Sequence, residues 1–400
     1  MPESPAGRAL EPAGEPVTGL VSESASELTP DSVPERILGP VPESVLRPLR
    51  QPDTDPATAD EGVDRPIPDV VSRETANQGG VEQLSERDQL AASLPMPGSE
   101  TPLAQAVAED ARRRASLSGK TFPKPDRTRI LTVANQKGGV GKTTTTVNMA
   151  AALAQAGLKV LVVDIDPQGN ASTALGIDHH AEVASIYDVL VDGMDILDVV
   201  QECVDVSNLS CVPATIDLAG AEIELVSLVA RETRMERALS AYIRGAAERG
   251  EERLDYVLID CPPSLGLLTL NAFVAADEVF IPIQCEYYAL EGLSQLLKNI
   301  ELIKSHLNPG LHVSTILLTM YDGRTRLSAQ VAEEVRTHFP DQVLRTSIPR
   351  SVRISEAPSF GQTVMTYDPT SSGALSYLEA ASELADRGVV VEVAARGASA

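Results

Sequence analysis

Asn135-Gln136-Lys137-Gly138-Gly139-Val140-Gly141-Lys142-Thr143-Thr144 is a string whose residue types suit one ligand, a chain of phosphates. Glycines let successive backbone N–H groups turn inward around anionic oxygens. A helix opening at Lys142 adds donors and a positive dipole end. In that reading Gly138, Gly139, Val140, Gly141 and Thr144 form the cradle, Lys142 bridges the β- and γ-phosphates, and the Thr143 hydroxyl binds Mg²⁺ directly. The string departs from the common G-x-x-x-x-G-K-[ST] pattern. Gln136 stands where the first glycine is usual, and a second lysine, Lys137, sits at the start of the loop. A lysine at loop entry points away from its own cradle, which suits the nucleotide of a neighbouring subunit.

Two acids complete the pattern. The run Lys159–Asp164 reads as a strand and continues Ile165-Asp166-Pro167-Gln168. Asp166 lies just past the strand's C-terminal end, where open α/β sheets bind ligands. It is placed to orient a water for attack on the γ-phosphate and to reach the metal through water. A free Asp is a weak base near neutral pH, so positioning matters more than proton abstraction. A second apolar strand ends in Leu258-Ile259-Asp260, followed by Cys261-Pro262-Pro263-Ser264. Asp260 is expected to hold a water on Mg²⁺ or to support Thr143.

These residues need a sheet to position them. From Arg129 onward short β-branched runs alternate with longer amphipathic ones. The expected strands are Ile130–Asn135, Lys159–Asp164, Leu209–Val212, Tyr256–Asp260, Glu278–Ile283, Val313–Thr319 and Val343–Ile348. The expected helices are Lys142–Ala156, Ala219–Glu248, Gly292–His306 and Leu327–His338. Such alternation predicts an α/β fold, a mostly parallel sheet with helices on both faces.

Composition divides the 400-residue chain. Residues 1–126 hold 18 of the 28 prolines but, of 13 Phe and Tyr residues, only Phe122. So little apolar surface cannot offset the entropy of ordering, so a long disordered acidic N-terminal segment is expected. Within it a short helix is allowed from Pro102 to about Ser118, its Arg112-Arg113-Arg114 reading as a solvated face or, less favoured, a phosphate contact. The expected organisation is 1–126 extension, 127–388 α/β domain and 389–400 flexible tail. No apolar run suggests a membrane span, and the N-terminus has no basic flank or apolar core of a secretion signal. The four cysteines show no CxxC spacing and read as free thiols in a reducing cytoplasm. A net charge of −24 means that any nucleic-acid binding needs a local patch.

Lys-Gly-Gly-Val-Gly-Lys-Thr-Thr at 137–144, Asp-Ile-Asp-Pro-Gln at 164–168 and Ile-Asp-Cys-Pro-Pro-Ser at 259–264 resemble the ParA/Soj chromosome-partitioning ATPases of the deviant Walker A group. Further stretches around Pro213–Glu222, Gln284–Gly292 and Ile348–Arg353 are similar to its chromosomal branch. The resemblance covers about 129–388. It implies ATP and Mg²⁺ as cofactors, slow ATP hydrolysis with Asp166 at the attacking water, and an ATP-dependent homodimer in which Lys137 reaches the partner's phosphates. It also implies non-specific DNA binding, stimulation by a ParB-like centromere-binding protein, and a cytoplasmic, nucleoid-associated location without a membrane. Arg324 and Arg353 match arginines used for DNA, with Arg350 nearby. Residues 320–355 hold six arginines against four acids, a local excess in an acidic chain.

Three other readings share the loop. A MinD-like membrane-associated division-site ATPase needs a basic amphipathic C-terminal helix, and residues 379–387 are acidic instead. An electron-transfer ATPase needs paired cysteines bridging a cluster, and Cys261 reads as packed behind the loop. A nucleotide-binding DNA scaffold with little turnover has no distinguishing sequence feature.

Overall fold

The computed structural model describes residues 102–117 and 120–397. The expectation of disorder before residue 102 lies outside the described residues. The strands are β1 (Arg129–Val133), β2 (Val160–Asp164), β3 (Gln201–Glu202), β4 (Leu209–Val212), β5 (Tyr256–Asp260), β6 (Glu278–Gln284), β7 (His312–Tyr321) and β8 (Val343–Pro349). They form one sheet in the order β3-β4-β2-β5-β1-β6-β7-β8, parallel throughout except where β3 meets β4. From β1 the chain builds β2 to β4 on one side and, after β5, continues to β6, β7 and β8 on the other. That reversal leaves a crevice at the C-terminal end of β1.

Side-chain alternation explains why the central strands read as unbroken apolar runs. All five residues of β2 are buried. Leu161 and Val163 join one core, while Val160 and Val162 join the other. β5 divides likewise, Val257 and Ile259 against Tyr256 and Leu258. A strand buried on both faces has no polar side to show.

The helices are α1 (Pro102–Leu117), α2 (Lys142–Gln155), α3 (Asn170–Ala174), α4 (Ile186–Leu190), α5 (Leu218–Val226), α6 (Arg234–Glu248), α7 (Leu267–Ala275), α8 (Ala289–His306), α9 (Arg326–His338), α10 (Val352–Glu356), α11 (Val364–Tyr367) and α12 (Ser372–Gly397). α2 and α12 cover one face through residues such as Met149, Leu153, Tyr377 and Leu384. α4 to α9 cover the other through Ile186, Leu218, Leu239, Leu268, Leu293 and Val331.

Three expectations differ from the structure. The single helix expected over Ala219–Glu248 is two, α5 and α6. Ala230 between them takes φ +54°, Arg231 Nη1 donates to the Val226 carbonyl (2.8 Å), and Asn271 of α7 donates to the Arg231 carbonyl (2.8 Å). The first bond closes the turn locally, the second is tertiary, and no Gly or Pro marks the break. The helix α12 runs as far as Gly397, past the boundary expected at residue 389. Finally, the arginine run of α1 divides: Arg112 is exposed, as a solvated face requires, whereas Arg113 and Arg114 are half-buried and engaged. Arg113 pairs with Glu379 (2.6 Å) and reaches Ser376 (3.0 Å), while Arg114 donates to the carbonyls of Pro369 and Thr370. Arg113 thus fastens α1 to α12, and Arg114 fastens it to the turn before α12.

Candidate phosphate and metal site

Register brings the acids and the loop to one end of the sheet. Asp260 is level with Val133, the last residue of β1, and with Asp164, the last of β2. The loop leaves β1 there. Asn135 holds its first turn, donating from Nδ2 to the Pro282 carbonyl (2.8 Å) and accepting from the Lys137 N–H at Oδ1 (3.0 Å). Gly139 and Gly141 sit at φ +74° and +85°, a region that side chains rarely adopt. A Cβ on Gly138 or Gly139 would meet nothing within 4 Å, so the loop borders open space. α2 begins after Gly141 with no side-chain cap, which leaves its first N–H groups for an anion.

Lys142 is buried, and desolvation lowers its ammonium pKa against the opposing pull of Asp260, Cys261 and Asp166. Asp260 is fully buried. Its Oδ1 accepts from the Thr146 hydroxyl (2.9 Å), the Thr143 side chain is near enough to pull the carboxyl pKa down, and Oδ2 has no hydrogen-bond partner. A buried carboxylate oxygen left unpaired is costly unless water or a cation meets it. That orphan oxygen, beside a threonine hydroxyl and an open phosphate cradle, fits Mg²⁺.

Asp166 is held by its own turn. Its N–H donates to Asp164 Oδ1 (3.1 Å), and its Oδ1 accepts from the Gln168 N–H (3.0 Å). Asp164 is fixed in turn by the N–H (2.9 Å) and hydroxyl (2.8 Å) of Ser172. Sequence reasoning gave Asp164 no task; the Asp-x-Asp spacing was its only signal, because Ser172 meets it through the fold of α3.

Burial pushes the Asp260 carboxyl up to about 8, helped by the charge of Asp164, and burial raises Asp164 to about 6. A carboxyl whose folded pKa lies above its unfolded value of about 4 binds a proton that the unfolded chain has released. Its contribution to stability is therefore present at low pH and lost as pH climbs from about 4 to about 8. The nucleotide-free, Mg²⁺-free chain should lose melting temperature between pH 6 and 8. In Asp260→Asn that loss should be smaller by on the order of 3 °C, read by calorimetry at both pH values. Equal losses in the two proteins would show that Asp260 does not carry this proton.

Lys137 Nζ lies 2.9 Å from Glu286 Oε2 of its own chain, with both side chains partly exposed. The structure thus brings Lys137, Gly138, Gly139, Val140, Gly141, Lys142, Thr143, Thr144, Asp166 and Asp260 to one crevice. The arginines form a second group. Arg324 follows β7 and Arg350 follows β8, where Tyr321 and Pro349 are level. Arg353 is the second residue of the next helix, α10. Arg324 is engaged by Asp322 (2.9 Å), and Arg353 by Glu356 (3.1 Å) and Asp368 (3.4 Å). These acids offset part of the positive charge of the group. Cys261 is buried with its Sγ 3.2 Å from the Thr132 hydroxyl.

No helix among the described residues is long and apolar enough to cross a membrane. An AAA domain family profile matches residues 128–313. The sporulation initiation inhibitor protein Soj of Bacillus subtilis is 54% identical over 260 residues, covering 65% of this chain and 99% of that protein. The chromosome partitioning protein ParA of Caulobacter vibrioides is 49% identical over 259 residues, 65% of this chain and 94% of that one. Among solved structures, a Mycobacterium smegmatis protein described as cobyrinic acid a,c-diamide synthase, with bound ADP and magnesium, is 38% identical with a TM-score of 0.54. It covers 64% of this chain and 94% of that chain.

Proposed function

The chain belongs to the ParA/Soj family of chromosome-partitioning ATPases, and from that premise we propose that it is an ATP-controlled DNA-binding switch. ATP with Mg²⁺ is its ligand. The observation that carries the reading is the orphan Asp260 oxygen beside Thr143 and Lys142 at an open glycine cradle. Thr143 and Asp260 would hold Mg²⁺, which when bound neutralises charge between the β- and γ-phosphates. Lys142 adds a cation from a desolvated position, where charge-assisted bonds are strong. Asp166, fixed by Asp164 and the turn to Gln168, orients the attacking water.

Lys137 exchanges Glu286 for the triphosphate of a second copy. Two strongly anionic ligands face to face would repel, so these lysines make the homodimer conditional on ATP. The dimer doubles the group of Arg324, Arg350 and Arg353, and non-specific DNA binding follows. A ParB-like partner speeds hydrolysis, the dimer loosens and DNA is released, which places the protein on the nucleoid in the cytoplasm.

DNA retention by the full chain tests this reading. Binding should need a triphosphate and weaken steeply with salt. Arg350→Ala and Arg353→Ala should each lower the slope of log affinity against log salt by about 1. Retention indifferent to nucleotide, or slopes unchanged in both variants, would remove these arginines and the switch from the account.

A further inference from the structure

The peptide between Val140 and Gly141 is held from behind by a strand that the sequence motifs do not include. Thr319 of β7 is buried, and its hydroxyl donates to the Val140 carbonyl at 2.8 Å. Its Cγ2 lies 4.0 Å from where a Cβ on Gly141 would stand. In a planar trans peptide the carbonyl of one residue and the N–H of the next point in opposite directions. Fixing the Val140 carbonyl against β7 therefore fixes the Gly141 N–H on the opposite side.

Thr319 is itself well anchored. It pairs in register with Gln284 of β6, and its carbonyl accepts from the Cys285 N–H (3.4 Å). The next residue, Met320, takes φ +50°, a strained value for a long side chain, and the β7–β8 register shifts there. Such strain persists only where the surroundings over-determine it. Here the bonds of Thr319 stand on one side and the Arg350 N–H to Tyr321 carbonyl bond (3.3 Å) on the other.

We propose that Thr319 is a positioning residue of the phosphate site, its hydroxyl orienting the Gly141 N–H toward the phosphates of a bound nucleotide. The inference rests on the nucleotide reading above. A donor aimed in advance serves a developing or bound anion without reorganisation, whereas a peptide free to rock does not.

Fluorescent ADP and ATP analogues titrated with Mg²⁺ into the full-length protein test it. Thr319→Val keeps the side chain's shape and removes the donor. Affinity should fall about tenfold, and KM for ATP should rise while kcat stays within about threefold, the pattern for lost uniform binding. Thr319→Ser should restore affinity to within about threefold of wild type. Thr319→Ala provides the same deletion without a second methyl, should valine disturb the packing. A merely structural threonine would instead lower kcat with the active fraction and leave KM unmoved. That result, wild-type affinity in the valine and alanine variants, or serine as weak as valine, would overturn the proposal. A wild-type chain that binds neither nucleotide would sink the phosphate reading itself, which is a separate outcome.

Discussion

Lys142→Ala abolishes nucleotide binding: affinity for ATP and ADP with Mg²⁺ should fall by at least about 100-fold in equilibrium dialysis. Lys142 is buried at the first position of α2, and its ammonium faces Asp260 and Asp166. Truncation removes a charge-assisted bond to phosphate, worth roughly 1.5–3 kcal/mol by itself. It also leaves Asp260 and Asp166 without their nearby cation, so the site becomes less favourable to the anion it must admit. Retained micromolar affinity in Lys142→Ala would place the phosphate contact elsewhere.

Asp166→Ala separates binding from chemistry. The Asp166 carboxylate bonds the Gln168 N–H of its own turn, and its backbone N–H bonds Asp164. Its removal leaves Asn135, the loop glycines and Lys142 in place. Nucleotide affinity should stay within about threefold of wild type, while phosphate release should drop by at least about 100-fold, the range for a positioned acid or base group. The variant should remain a dimer on DNA as long as ATP lasts. Wild-type turnover in Asp166→Ala would give the water to another group.

The loop and Asp260 were legible in the sequence because each is written in one continuous stretch whose order along the chain fixes the pairing. Asp164 was written too, yet its task was hidden, since the bonds that define it come from Ser172 after a turn. Thr319 carried no signal at all. It reaches Val140 only because β6 seats β7 beside the loop. The central strands were easiest to place, because burial on both faces makes them mostly β-branched and aliphatic, while the two polar residues of β3 gave no such run. The break after Val226 escaped for the opposite reason: no Gly or Pro marks it, and it is held by a side-chain bond from Arg231 back to Val226 and by Asn271 on another helix. α1 was read from its own composition, but Arg113 and Arg114 find their partners in α12 and the turn before it, far along the chain, which no local pattern reveals.

Sedimentation equilibrium of the full chain asks most directly whether a triphosphate joins two copies through Lys137. Wild type should be monomeric without nucleotide and with ADP, and dimeric with a non-hydrolysable ATP analogue. Lys137→Ala should bind that analogue and stay monomeric. A wild-type chain that remains monomeric with the analogue, or a Lys137→Ala chain that dimerises as readily as wild type, would contradict the account.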